Sequence, residues 1–304
     1  MKNNNAPLVS VLCTAFNHVN YIEDAINGMM NQKCSFSYEI IIHDDASTDG
    51  TGDKIVALVK NHDNVKPILQ QENQFSKGIK IWSQAMLPLA AGKYIAICDG
   101  DDYWIDENKL QVQVDFLEKN PDYSICWTGY NMLEDDSLIP AAWLSDYTSD
   151  TDVTMENIFQ PYRTYSLTAV FRRDTFVEKI YNALAHAKDN SMYAICLSNG
   201  KGRLMRMITA NYRIHDGGVF SRRSYPFKVL NSYYNYKEIW LKINGAKTPQ
   251  IYNLVKYYLS ESVVFTPLRF NKINLRLAWD SFSMLGFKKS ISLYWNKLRY
   301  RIVS

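Results

Sequence analysis

Apolar side chains on consecutive positions, in short runs, most constrain what this chain can fold into. Leu8–Cys13 (LVSVLC), Glu39–His43 (EIIIH), Val65–Gln70 and Tyr94–Cys98 (YIAIC) are such runs. A strand that is apolar on both faces must be covered on both, as in a parallel sheet. Between the runs the spacing turns helical. Tyr21–Asn31 carries Ile22, Ala25, Ile26, Met29 and Met30, and a second helix carries Ile55, Val56, Leu58 and Val59, with Ser47, Thr48 or Asp49 to cap it. A third helical stretch, Ile79–Ala90, is broken or kinked at Pro88. This β-α-β-α-β-α-β order, with right-handed crossovers, predicts an α/β fold: an open parallel sheet with helices on both faces.

Polar clusters follow three of the four runs directly. Thr14–Asn17, Asp44–Asp45 and Asp99–Asp102 would all lie on the sheet edge formed by the carboxyl ends of the strands. Ligands of open α/β sheets bind there, where the strand order reverses. Carboxylates as close as Asp99, Asp101 and Asp102 raise one another's pKa unless a cation sits among them. A core strand delivering them to its end suits Mg²⁺ or Mn²⁺ held against a phosphate. The plainer reading of the stretch is a solvated acidic turn with Asp106 as a helix cap.

Further along, Asn108–Lys119 is an amphipathic helix stopped by Pro121, and Ser124–Thr128 is a strand. Residues 133–161 are polar and acidic, and read as a loop covering the site. Leu167–Phe171 reads as a strand, Arg173–Ala187 and Met192–Leu197 as helices, and Met207–Tyr212 as a segment leading into Arg213–Gly218. Beyond Pro226 the pattern is helical and rich in Tyr and Lys. The five cysteines show no C-x-x-C spacing, and Cys13, Cys98 and Cys126 lie in or beside apolar runs. They read as reduced core thiols. The first residues lack the apolar stretch of a secretory signal, and no run approaches the ~18 residues that cross a bilayer. The expected location is cytoplasmic, with attachment to the inner face of the cell membrane left open.

The net charge of +3 hides an asymmetry. From Phe227 onward thirteen Lys/Arg face only Glu238, Glu261 and Asp280, a net +10, which leaves −7 for the first 226 residues. The acidic body argues against a nucleic-acid partner. Within Gly286–Ser304, Phe287, Ile291, Tyr294, Trp295, Leu298 and Ile302 make a helical stripe beside Lys288, Lys289, Lys297, Arg299 and Arg301. Such a helix fits a peripheral membrane contact, and equally packing against the chain's own body or a second subunit.

Taken in order, SVLCTAFNHVNYIEDAINGMMNQ, EIIIHDDASTDGT, ENQFSKG, AAGKYIAICDGDDYWIDENKLQVQVDFL and YRIHDGGVFS resemble the motifs of the family-2 glycosyltransferases. These are inverting, nucleotide-sugar-dependent enzymes of the GT-A fold, and the likeness covers about Leu8–Ser221. It implies a mostly parallel, Rossmann-like sheet as a catalytic domain over residues 1–222, with a helical, basic C-terminal subdomain over 223–304. The implied activity is metal-dependent transfer of a sugar to a glycan or lipid-linked glycan in surface polysaccharide assembly.

The resemblance also implies residue roles. Thr14, Phe16, Asn17, Asp44, Asp45, Lys77, Asp99, Gly100 and Asp101 would bind the nucleotide sugar, Phe16 by stacking on the base and Asp45 by accepting a base N–H. A uracil N3–H suits that acceptor, so a UDP-sugar is the leading donor. Asp101, Asp102 and His215 would face the Mn²⁺ or Mg²⁺, with Asp99 toward the ribose and Gly100 letting the backbone approach the donor. Asp189 stands where the family keeps its catalytic base, although Lys188-Asp189-Asn190 departs from the usual pattern there. Two other classes stay open. A nucleotidyltransferase acting on sugar phosphates would usually show a glycine-rich loop after the first strand, and Thr14–Asn17 has no glycine. A non-catalytic nucleotide-sugar binder would not need Asp189.

Overall fold

The computed structural model describes residues 6–134, 137–140, 149–159, 164–217, 223–267, 269 and 271–303, the side chains of Pro140 and 299–303 excepted. Its centre is a sheet of ten strands. β1 (Val9–Ala15), β2 (Tyr38–Asp44), β3 (Val65–Leu69) and β4 (Tyr94–Ile97) are the four apolar runs, and β1 and β4 pack nearly every side chain inside. β1 lies between β2 and β4, parallel to both, and β3 is parallel to β2. Alternation sorts their side chains onto two faces. Val9, Val11, Cys13, Ile40, Ile42 and Ala96 join a core under α1 (Ile22–Met30), α2 (Thr51–Val59) and α3 (Lys109–Lys119). Leu12, Ile41, Ile95 and Ile97 join a second core on the other face.

The four strands expected to run parallel do so, and beyond β4 the sheet becomes mixed, as the expected mostly parallel sheet allows. The order is β3-β2-β1-β4-β9-β6-β10-β5, where β9 (Val170–Arg172) runs antiparallel between β4 and β6 (Tyr123–Glu134). β10 (Lys201–Ile214) is parallel to β6, with register shifts between Leu204 and Ala210. β5 (Tyr103–Trp104) and β8 (Thr151–Val153) pair antiparallel with β10, and β7 (Ser137–Pro140) forms a hairpin with β6. Part of the expected 133–161 loop is therefore strand, and residues 141–148 and 160–161 lie outside the described residues. A three-residue strand such as β9 is shorter than any hydrophobic period that could announce it. Two expected helices shrink as well. Ile81–Met86 is one wide π-type turn followed by a tight turn at Leu87–Leu89, where Pro88 has no N–H to continue a helix. Of Arg173–Ala187 only α4 (Glu178–Asn182) is α-helical.

The remaining helices are α5 (Asp189–Leu197), α6 (Tyr225–Lys242), α7 (Pro249–Phe265), α8 (Lys272–Leu285) and α9 (Phe287–Val303). Tyr233, Tyr236 and Ile239 of α6 and Ile251, Val255 and Leu259 of α7 share one continuous core with Ile95, Trp127 and Phe171 of the sheet. In α9, Ser290 and Lys297 are buried and Leu293 and Tyr294 pack inward, while Phe287, Ile291, Trp295 and Leu298 face out. Tyr294 thus leaves the expected stripe, and the side chains of Arg299, Arg301 and Ile302 lie outside the described residues. Four of the five thiols are buried, and all five are unpaired. Among the described residues no helix is long and apolar enough to cross a membrane.

Candidate active site

The strand order reverses between β1 and β4, and the two ends are tied together there. The Thr14 hydroxyl donates to the Asp99 carboxylate, and the Gly100 N–H donates to the Thr14 carbonyl at 2.8 Å. On the other side of β1 the Asp45 N–H donates to the Ala15 carbonyl at 2.9 Å. Asn17 and Ala46 adopt left-handed backbone, φ 58° and 62°. Asn17 can afford it: its N–H donates to the Ser47 hydroxyl (2.8 Å) and its side-chain oxygen accepts the Thr48 N–H (2.9 Å). Ala46 has no such compensation, and backbone strain of this sort gathers at ligand sites. Phe16 stands 42% exposed beside these turns and belongs to neither core.

Several of the expected binding residues also have protein partners. Both oxygens of Asp45 are engaged, accepting the N–H groups of Gln74 (2.7 Å) and Phe75 (3.0 Å), so this carboxylate braces the 71–78 loop. Asp44 accepts the Ser47 N–H and hydroxyl and shapes its own turn. Lys77 is ion-paired with Glu72 on the surface. At Gly100 a side chain would meet Ile22, His18 and Ala15 at 2.9–3.2 Å. Its missing Cβ therefore lets those three side chains pack against the turn. The expected cap of α2 is also different: Gly50 occupies that position in left-handed backbone, and Asp49 receives the Thr51 N–H from one residue further out.

The Asp99–Asp102 turn carries the strongest electrostatics. Asp99 is raised to about 7 by burial first and by the Asp101 charge second, with the Thr14 hydroxyl opposing. Burial also drives Asp102 well above the carboxylate range, again reinforced by Asp101. Asp101 feels the same burial, but its bond to His215 and the nearby His18 overcome it and hold this carboxyl below its ordinary value. The geometry explains why. His215 Nε2 lies 3.1 Å and His18 Nε2 3.7 Å from one oxygen of Asp101. His215 Nδ1 accepts the Gly217 N–H at 3.1 Å, and its Nε2 faces Asp101. Residues 218–221 of that motif lie outside the described residues.

Asp102, also expected to face the metal, is tied to the neighbouring strand through one of its oxygens. Its carboxylate is almost fully buried and accepts the Arg213 N–H at 2.8 Å, fastening the turn to β10. Arg213 completes the clamp. Its guanidinium donates to the Asp101 carbonyl and the Asp24 carboxylate, both at 2.8 Å, and lies between the rings of Tyr21 and Tyr103 (4.7 and 5.0 Å).

Asp189 reaches this cluster from nearly ninety residues away. It opens α5, with its side chain solvent-accessible but with much protein packed around it. That crowding raises its carboxyl pKa, against a bond from the Ser166 hydroxyl and the Lys188 charge. Its own charge is felt at Asp99. The turn before it is held by α6. Glu238 accepts the N–H groups of Ala185 (3.1 Å) and His186 (2.7 Å), Asn235 donates to the His186 carbonyl (2.8 Å), and Asn190 donates to the Tyr236 hydroxyl (2.9 Å).

Among the described residues no group of three or more His, Cys, Asp or Glu side chains is arranged to hold a metal ion by itself. Asp101 and His215 form a two-donor set 3.1 Å apart. A divalent cation bound through one or two side chains plus phosphate oxygens fits such a set. His18, Ser166 and the α6 contacts were not anticipated from the sequence. His18 directly follows Asn17 in a motif already singled out, whereas nothing local marks Ser166 or Glu238.

Residues 10–176 match the profile of the family described as "Glycosyl transferase family 2". The chain is 28% identical over 224 residues to the Escherichia coli UDP-Glc:alpha-D-GlcNAc-diphosphoundecaprenol beta-1,3-glucosyltransferase WfaP, covering 73% of this chain and 82% of that one. It spans less than half the length (42%) of several other curated relatives, 33% identical over 148 residues. In fold it resembles S. aureus TarS 1-349 solved with UDP-GlcNAc, with TM-score 0.68, 18% identity and coverage of 97% of this chain and 92% of that one. It likewise resembles the mannosyltransferase PcManGT of Pyrobaculum calidifontis solved with GDP-Man and Mn2+, with TM-score 0.56, 14% identity and coverage of 96% and 84%.

Proposed function

The chain belongs to glycosyl transferase family 2, and from that premise we propose that it moves a sugar, with inversion, from a nucleotide-sugar donor to a glycan or lipid-linked glycan acceptor. The observation that supports the proposal is that the charge of Asp189, at the start of α5, acts on Asp99 at the end of β4, which puts a second carboxylate within electrostatic reach of that turn. A nucleotide site alone would not need that second carboxylate. In the transfer, an acceptor hydroxyl oxygen forms the new bond to the anomeric carbon while the bond from that carbon to the diphosphate oxygen breaks. Asp189 takes the hydroxyl proton, and the electron pair of the broken bond leaves with the nucleoside diphosphate. Crowding favours this role by making Asp189 a stronger base than a surface aspartate.

The donor's nucleotide would lie along the ends of β1, β2 and β4, with its base against the exposed ring of Phe16. UDP is the leading nucleotide, supported by the relatives named for UDP-glucose and solved with UDP-GlcNAc. Asp101 and His215 would hold a Mn²⁺ or Mg²⁺, which when bound offsets charge on the leaving diphosphate. The proposed setting is cell-surface polysaccharide assembly at the cytoplasmic face of the membrane, consistent with the lipid-linked acceptor in the WfaP name. Residues 1–222 would carry donor and catalysis, and 223–304 would brace the Asp189 turn. A thermal-shift panel of nucleotide sugars, with and without Mn²⁺, tests this first. Stabilisation by a nucleotide sugar that grows with the metal is expected, and a response to no nucleotide would overturn the proposal.

A further inference from the structure

Among the described residues, helices α8 and α9 leave an apolar surface uncovered. Trp279 is 77%, Phe287 70% and Trp295 59% exposed, and Leu275, Phe282, Ile291 and Leu298 are exposed beside them. The spacing is not accidental scatter. Leu275, Trp279 and Phe282 recur at i, i+4 and i+7 on α8, and Phe287, Ile291, Trp295 and Leu298 at i, i+4, i+8 and i+11 on α9. Each set makes one stripe at about 100° per residue. The rings of Phe282 and Phe287, 5.8 Å apart, join the stripes across the turn at Gly286. The opposite side of each helix is already spent on the core, through Leu277 on α8 and Leu293 and Tyr294 on α9.

The charge around this surface has one sign. Lys272, Lys288 and Lys289 are exposed, and Arg276 is too, although it leans toward Asp280 at 3.8 Å. Asp280 is the one carboxylate from residue 262 to the end of the chain. It is buried, where it binds the Tyr233 hydroxyl and Lys237. The face therefore offers apolar and cationic groups and no exposed acid. A second copy of the chain meeting this face with its own α8–α9 face would bring like charges together with no exposed acid between them. An interface with anionic headgroups above acyl chains accepts both kinds of group at once, with tryptophans at the boundary.

We infer that the exposed faces of α8 and α9 together form a docking surface for an anionic lipid bilayer. The two-helix surface is wider than the single amphipathic stripe legible in the sequence, and its binding can be read without donor or acceptor. Failure here would thus leave the transferase proposal standing, and an inactive enzyme would leave this one standing.

The test is flotation of the full chain with phosphatidylcholine vesicles containing about 30% phosphatidylglycerol, compared with phosphatidylcholine alone. Binding to the anionic vesicles, weakened by salt and accompanied by a blue shift of tryptophan emission, is expected. The triple variant Trp279→Ser/Phe287→Ser/Trp295→Ser changes only exposed side chains and should keep its melting temperature while losing at least about tenfold in partitioning. Lys288→Glu/Lys289→Glu should lose the preference for anionic vesicles. Equal partitioning of wild type and triple variant would overturn the inference. So would a wild-type dimer that ignores vesicles and that the triple variant dissociates.

Discussion

Asp189 is where the proposed chemistry is most exposed to test. Asparagine keeps its shape and its bond from Ser166 but cannot take a proton. Asp189→Asn should therefore lower transfer by on the order of 10²–10⁴-fold while nucleotide-induced stabilisation stays as in wild type. A variant with full activity would make the protein a binder, or move the base elsewhere. Lys109 shows a different single-residue effect. It is completely buried, donates to Gln113 at 2.7 Å and lies 4.3 Å from the Trp104 ring. Burial lowers its pKa to about 7 from 10.5. Below about 7 both folded and unfolded chains carry the charge and the burial cost is felt in full. Between about 7 and 10.5 only the unfolded chain holds the proton, so this lysine contributes stability that rises with pH. Buried thiols act the other way at high pH, since burial pushes Cys126 up to about 12. The difference in melting temperature between wild type and Lys109→Met isolates the lysine, and it should shrink as pH climbs from 7 to 10.

At the scale of elements, close approach and cross-element bonds set the site. Gly92 brings the start of β4 against β1, and a Cβ there would stand 2.4 Å from the Ser10 nitrogen. Backbone cannot yield as a side chain would, so Gly92→Ala should cost about 1–3 kcal/mol or more, read as a lower denaturant midpoint. The α6–α5 contact has a functional counterpart. Glu238 touches no substrate in the proposed mechanism, but it holds the backbone that presents Asp189. Glu238→Ala should lower turnover about tenfold or more with the nucleotide KM little changed, and Glu238→Gln, which keeps one acceptor, should recover part of it. An equal rise in KM would point to a general structural role instead. The helix-period and strand-period patterns of α1, α3, β1, β2 and β4 were legible because each is long and strongly apolar on its buried side. β9 and α4 were not, because three or five residues hold no full period.

For the molecule as a whole, the acidic sheet body and the basic helical end are one packed unit in their interior. α6 and α7 contribute Tyr233, Tyr236, Ile239, Ile251 and Val255 to the core beneath the sheet. A chain ending before α6 would expose that face. It should fail to show a cooperative melt, and a sharp transition with retained nucleotide binding would disprove this dependence. Among the described residues, the same packing leaves the outer apolar faces of α8 and α9 exposed.

What the sequence determined by itself is local and periodic. It set the apolar strands, the polar clusters at their ends and hence the edge on which a ligand must lie, because alternation and strand direction follow from covalent geometry. It also carried the five ordered motifs and the split of charge. The tertiary structure alone decided which carboxylates are free. Asp45 turned out to brace a loop, Asp102 to fasten β10, and Asp101 to meet two histidines. Those assignments depend on contacts between residues 29 to 114 positions apart, and no period in a sequence encodes a partner at that distance.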